Sequence, residues 1–106
     1  MCKEQILAQG KVAIIFKASG CDCINLTLSN LNLHLKYPDF MDFTNYINHI
    51  NQSLPTSLHI QIDTPYEGVT LFYRVLEFQE LCKLLNRAIL TLELVQVSFK
   101  SSFSLN

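Results

Sequence analysis

Two cysteines and one histidine near the start of the chain have the types and spacing of metal ligands. Cys21 and Cys23 are separated by one residue, so in an extended segment their side chains point the same way. A predicted hairpin, described below, brings His34 near Cys23. Two thiolates and an imidazole are good zinc ligands, and His59, Cys2 or a water molecule would supply the fourth. The pattern predicts a zinc site at Cys21, Cys23 and His34.

Other interpretations of the cysteines stay open. A C-x-C pair without a second pair is a weak metal motif, so the two thiols could instead form a redox or reactive pair, or be incidental cysteines near a turn. Cys82 differs from them because it falls on the apolar stripe of a predicted helix. Free cysteine in such a place is usually part of the core.

Other catalytic chemistry finds little support in the residues present. The three glycines are isolated, so no glycine-rich loop is available to hold a phosphate. Asp39 with Asp42, and Glu77 with Glu80, look like catalytic carboxylate pairs, but the first turn of a helix favours acids for its dipole. Because a positioned base and nucleophile are missing, the sequence does not favour an enzyme.

An alternation of apolar and polar residues predicts the hairpin that would position His34. The apolar residues of its two runs are Ile24, Leu26, Leu28, Leu31, Leu33 and Leu35. The phase changes between the runs, so one continuous strand would put the second run on the wrong face. A two-residue turn at Ser29-Asn30 places all six on one face, and Asn accepts the positive φ of such a turn. A β-bulge at the same place is the alternative.

The pattern of this region recurs at a constant shift of 38 positions. The segments LHLK, DFMDF and IN align with LFYR, EFQEL and LN, so that Asn48 meets Asn86. A sequence pattern that recurs at a fixed spacing indicates a repeated supersecondary unit. It predicts two ββα units, at about residues 21–54 and 57–92.

Each unit ends in a predicted amphipathic helix. The first opens at Tyr37-Pro38-Asp39, because Pro suits the first turn and an acid suits the positive end of the dipole. The second runs from residue 77 to about residue 90. The apolar stripes are Phe40, Phe43, Ile47 and Ile50 in the first helix, and Phe78, Leu81, Cys82, Leu85, Ala88 and Ile89 in the second.

Two segments near the ends of the chain each fit more than one secondary structure. Residues 12–16 are β-branched and aromatic, which predicts a leading strand, whereas residues 2–9 fit either a strand or a short helix. Residues 92–99 alternate in a way that suggests a last strand. Since no Gly or Pro separates them from the second helix, a longer helix is the alternative.

These elements predict an α+β, two-layer domain in which two helices lie on one face of a shared antiparallel sheet of about five or six strands. The uncovered face of the sheet would carry Asn25, Thr27, Asn32, His34, His59, Gln61, Asp63, Thr70, Phe72 and Arg74. An aromatic residue is unusual at the middle of a solvated face. Phe72 is therefore a candidate contact for a ligand or partner.

Composition limits the class of protein. The 106 residues predict one domain over residues 1–106. Charged residues make up 16%, against about 25% in an average domain, which predicts that some surface is buried in a homo-oligomer such as a dimer. The lysines and arginines are scattered singly and the net charge is −1, so no nucleic-acid partner is expected.

No membrane or export segment is predicted. No window approaches the ~18–20 apolar residues of a membrane span. Ala18-Ser19-Gly20-Cys21 has the small residues of a lipoprotein cleavage site, but Gln9, Gly10 and Lys11 interrupt the apolar run that must precede it. A cytoplasmic location with reduced cysteines is expected.

A resemblance covers the first half of the chain. The segment resembles small uncharacterised bacterial proteins through Cys21-x-Cys23, Ile24-x-Leu26-x-Leu28-x-Asn30, Asp39-Phe40 and Phe43. In those proteins a cysteine pair precedes an alternating strand and an F-x-x-F-type helix. The resemblance implies no particular reaction.

Two functional hypotheses follow. One is a small, non-enzymatic, self-associating domain that binds a protein partner or a small ligand through its open sheet face or an edge strand. The other is a metal- or thiol-dependent module built on Cys21, Cys23 and His34, with zinc as the expected metal.

Overall fold

The computed structural model describes residues 4–18, 23–29, 31–54 and 59–104. The elements in chain order are β1 (Glu4–Gln9), β2 (Ala13–Ala18), β3 (Cys23–Leu28), β4 (Leu31–Lys36), α1 (Tyr37–Gln52), β5 (His59–Asp63), β6 (Thr70–Arg74) and α2 (Val75–Ser104). The predicted α+β class is confirmed. The segment at residues 2–9, which fitted strand or helix, contains strand β1.

The hairpin of β3 and β4 has the predicted register. Ile24 pairs with Leu35 and Leu26 with Leu33, and the last pair before the turn is Leu28 with Leu31. The six alternating aliphatic residues share one face, and five of them are buried while Leu31 is half-buried. Of the two turn residues, Asn30 lies outside the described residues, and Ser29 has φ 49°.

The positive φ of Ser29 leads to a stability prediction. A non-glycine residue in the left-handed region costs roughly 1–2 kcal/mol, whereas glycine costs about 0.4–1 kcal/mol through the entropy of the unfolded chain. Replacing Ser29 with Gly should therefore raise the free energy of unfolding by about 0.5–1 kcal/mol in urea titrations. Ser53, which has φ −142° after α1, is the control, and Ser53→Gly should not stabilise the protein. Equal effects at both positions would contradict the strain argument.

Helix α1 begins where the sequence predicts. Pro38 lies in its first turn with Asp39, and the helix buries Phe40, Phe43 and Ile47 against the sheet. Thr44 is also buried, and its hydroxyl donates to the Phe40 carbonyl oxygen at 2.9 Å. The apolar stripe is thus confirmed, and the one polar residue beside it is hydrogen-bonded within the helix.

The strands form two sheets, so the expectation of one shared sheet is wrong for the described residues. Strands β1 to β4 form an antiparallel meander in sequence order, and β5 pairs only with β6. Tyrosine hydroxyls accept hydrogen bonds from backbone N–H groups at strand edges, where a further strand would otherwise pair. The Tyr66 hydroxyl accepts from the His34 N–H of β4 at 3.0 Å. The Tyr46 hydroxyl accepts from the Asp63 N–H of β5 at 3.1 Å.

Helix α2 is the longer alternative of the two considered for the C-terminal segment, and no strand forms at residues 92–99. Its extension packs against β1. Strand β1 has an irregular register at Leu7, and the Leu7 carbonyl oxygen lies 3.2 Å from the Thr91 hydroxyl. Leu92 is also buried. Strand β1 therefore contacts α2 near the start of the segment that the sequence predicts as either strand or helix.

The helices cover the sheets and contact each other. Helix α1 packs on β3 and β4, while α2 packs on β1, β2, β5 and β6. One hydrophobic cluster runs from Leu7 to Leu92 and includes residues of both predicted units. Among the described residues, no helix is long and apolar enough to span a membrane.

Candidate functional site

The structure places two of the three predicted zinc ligands on one face of the first hairpin. His34 pairs with Asn25, and Cys23 pairs with Lys36 in the neighbouring position of the ladder. Diagonal neighbours of this kind lie about 7–8 Å apart, so His34 is near Cys23 as predicted. Cys21 lies outside the described residues. Within the described part of the chain, no group of three or more His, Cys, Asp or Glu residues is placed to hold a metal ion.

Of the two residues proposed as a fourth ligand, only His59 is described. His59 belongs to β5, in the other sheet, where it pairs with Arg74. Cys2 lies outside the described residues. The zinc hypothesis therefore depends on a residue that the structure does not describe.

The predicted solvent-facing side of the second hairpin is exposed. The outward residues His59, Gln61, Asp63, Thr70, Phe72 and Arg74 are all exposed. Phe72 is 65% exposed, although aromatic side chains usually bury most of their surface. It pairs with Gln61 at the centre of the five-residue ladder. The unusual position of Phe72, inferred from the alternation, is confirmed.

A second feature lies where α1 meets α2. Asn48 and Asn86 form a reciprocal amide pair: Asn48 Nδ2 donates to Asn86 Oδ1 at 3.0 Å, and Asn86 Nδ2 donates to Asn48 Oδ1 at 2.8 Å. Asn86 Nδ2 also donates to the Cys82 carbonyl oxygen at 2.8 Å. These are the two asparagines that the 38-residue shift aligns. The alignment indicates matching helix positions, but their direct contact follows only from the packing of the helices.

Cys82 is part of this cluster, and its side chain is buried and hydrogen-bonded. The Cys82 Sγ donates to Asn48 Oδ1 at 3.0 Å, and Cys82 as a whole is 5% exposed. Burial raises the pKa of the Cys82 thiol, and the side-chain hydrogen bond from Asn86 only partly offsets this. A raised pKa favours the protonated thiol over the nucleophilic thiolate. The assignment of Cys82 to the core is confirmed.

An open groove borders the amide pair. Its volume is about 610 Å³, and it is lined from α1 by Asn48 and Asn51, and from α2 by Gln79, Cys82, Lys83, Asn86 and Arg87. Sequence inspection missed this site because the basic residues look isolated along the chain. The available signal was the spacing of Lys83 and Arg87, which at four residues places both on one side of a helix.

No curated protein and no solved structure matches the chain. A family model described as a family of unknown function, DUF6686, matches residues 1–106, which extends beyond the half of the chain that carried the resemblance in the sequence. The chain therefore belongs to the DUF6686 family of unknown function.

Proposed function

We propose that this chain is a small, non-enzymatic binding domain that self-associates through the outer face of the β5–β6 hairpin. The observation that carries the proposal is Phe72, 65% exposed at the centre of that face. Leaving an aromatic ring in water forgoes the free energy of burying it, roughly 1.5–3 kcal/mol. A partner surface that covers Phe72 would recover that energy.

The order of residues along this face favours a second copy of the same chain as the partner. Asp63 lies at one end of the ladder, Phe72 at the middle and Arg74 at the other end. A two-fold axis through the middle would place Phe72 against its own copy, with Asp63 facing the Arg74 of the second molecule. Isologous interfaces require this kind of self-complementary surface.

The low charge content supports a binding role. Charged residues make up 16% of the chain, and the face around Phe72 carries one acid and one cation at opposite ends. Interface cores are depleted in charge and enriched in aromatic residues.

Charge reversal tests the proposed pairing. Asp63→Arg or Arg74→Asp alone should place like charges together and raise the dimer dissociation constant about tenfold. The double variant should return it to within about threefold of the unmodified value, because the pair is restored in the opposite sense. Sedimentation equilibrium over a range of concentrations measures all four proteins. An unmodified chain that stays monomeric at high concentration would rule out the proposal, and a double variant as weak as the single ones would rule out this pairing.

The zinc module is a second candidate function, favoured by the register that puts Cys23 and His34 on one face. Cys21, the third ligand in this hypothesis, lies outside the described residues. Metal analysis of protein purified without added zinc tests it. We expect stoichiometric zinc that is lost in a Cys21→Ser, Cys23→Ser variant. Protein without metal, together with unchanged thermal stability of the variant, would retire the hypothesis.

A further inference from the structure

The groove between α1 and α2 has a lining that combines positive charge with amide groups. Its cations are Lys83 and Arg87, and among the described residues no carboxylate lines it. The two residues are one helical turn apart on α2, so their side chains lie on the same side of the helix. Both are exposed, and within the described residues neither side chain has an ion-pair or hydrogen-bond partner. Like charges at this spacing disfavour the helix slightly unless an anion lies between them.

The amide groups of the groove are arranged to donate hydrogen bonds. Asn86 Nδ2 uses its two N–H groups on Asn48 Oδ1 and the Cys82 carbonyl oxygen. Asn48 Nδ2 uses one N–H on Asn86 Oδ1, so its second N–H has no acceptor among the described residues. Asn48 Oδ1 is already occupied by Asn86 and by the Cys82 thiol. The amide pair therefore has one N–H to spare, on Asn48, and the Asn48 oxygen already accepts two hydrogen bonds.

Two further amides widen this donor set. The side chains of Asn51 and Gln79 line the groove and make no hydrogen bond within the described part of the chain. Each offers two N–H donors and one acceptor oxygen. Since the charged side chains of the groove are both cations, a matching ligand would bring negative charge, and the amide N–H groups could donate to its oxygens.

We infer that this groove binds a small organic anion, with Lys83 and Arg87 holding a carboxylate or phosphate group and the amides of Asn48, Asn51 and Gln79 donating to its oxygens. The guanidinium of Arg87 suits the planar geometry of a carboxylate and the oxygens of a phosphate, and charge-assisted hydrogen bonds are the stronger kind. The volume of about 610 Å³ is within the range of small-molecule sites, roughly 300–1,000 Å³. The site lies on the helices, so it is separate from the proposed interface on the β5–β6 hairpin.

Nuclear magnetic resonance titration of the ¹⁵N-labelled full chain tests the inference, with citrate as the carboxylate probe and glycerol 3-phosphate as the phosphate probe. Sodium chloride at matched ionic strength is the reference. Saturable shifts of the Asn48 and Asn86 side-chain amide signals are expected with at least one probe. The tighter of the two probes identifies which anionic group the groove prefers.

Matched variants locate the binding. The double variant Lys83→Met, Arg87→Met should weaken binding of the preferred probe at least about tenfold. Lys11→Met with Lys36→Met removes two exposed cations that do not line the groove and should leave the affinity within about twofold. Since all four side chains are exposed, backbone spectra should show that each variant remains folded. Equal weakening by both variants, or shifts no larger than those produced by sodium chloride, would overturn the inference.

Discussion

Replacing Phe78 with alanine should lower the free energy of unfolding by about 3–5 kcal/mol, and replacing Phe40 should do the same. Both rings are 0% exposed, and they occupy positions 38 residues apart in α2 and α1. Truncation removes the buried ring and leaves a cavity that close packing fills only in part. For a chain of this size the loss is a large fraction of a total of roughly 5–15 kcal/mol.

These two variants also test whether residues 1–106 form one cooperative domain. The hydrophobic cluster joins residues of both predicted units, so each substitution should shift one and the same transition. Urea unfolding followed by circular dichroism and by tyrosine fluorescence should give coincident curves for each variant. Leu76→Ala is the control because Leu76 is 80% exposed, and it should change stability by less than about 0.5 kcal/mol. Two separated transitions would mean that the units unfold independently.

The local pairing of the first hairpin was predictable because its signal is strong and short in range. Six aliphatic residues alternate with polar ones and change phase once, and only a tight turn puts them all on one face. The observed pairing of Leu28 with Leu31 follows directly. The same alternation predicted the exposed position of Phe72. The ββα repeat itself stays a prediction. The contact between Asn48 and Asn86 does not test it, because it follows from helix packing.

The division into two sheets could not be derived from the sequence, because it depends on distant side chains. Tyr46 belongs to α1 and Tyr66 to the loop after β5, yet their hydroxyls accept from backbone donors of Asp63 and His34. Periodicity describes which face a residue takes within a strand. It says nothing about which hairpin pairs with which.

The helix groove escaped prediction for a similar reason. Lys83 and Arg87 were visible as two basic residues one turn apart, but their amide neighbours on α1 are more than thirty positions away in sequence. Helix packing brings Asn48 beside Cys82 and Asn86. The contact of α2 with β1, where the Leu7 carbonyl oxygen lies beside Thr91, likewise joins segments that are far apart in sequence.

Truncating Phe72 to alanine should raise the dimer dissociation constant at least about 30-fold, which corresponds to roughly 2 kcal/mol for a central aromatic contact. In a two-fold dimer each substitution is present twice, so both sides of the central contact are lost together. The monomer should be almost unaffected, because Phe72 is 65% exposed and contributes little to the core. The expected signature is therefore a weakened dimer with unchanged unfolding of the monomer at low concentration.

Leu90→Ala is the matched control for this measurement. Leu90 is 55% exposed on α2, so it offers a similar apolar surface away from the hairpin face. Sedimentation equilibrium should show that Leu90→Ala leaves the dissociation constant within about threefold of the unmodified value. If Leu90→Ala weakens the dimer and Phe72→Ala does not, the chain associates through the exposed side of α2. In that case the proposed interface on the β5–β6 hairpin would be wrong, because truncating the ring at its centre would have cost no dimer affinity.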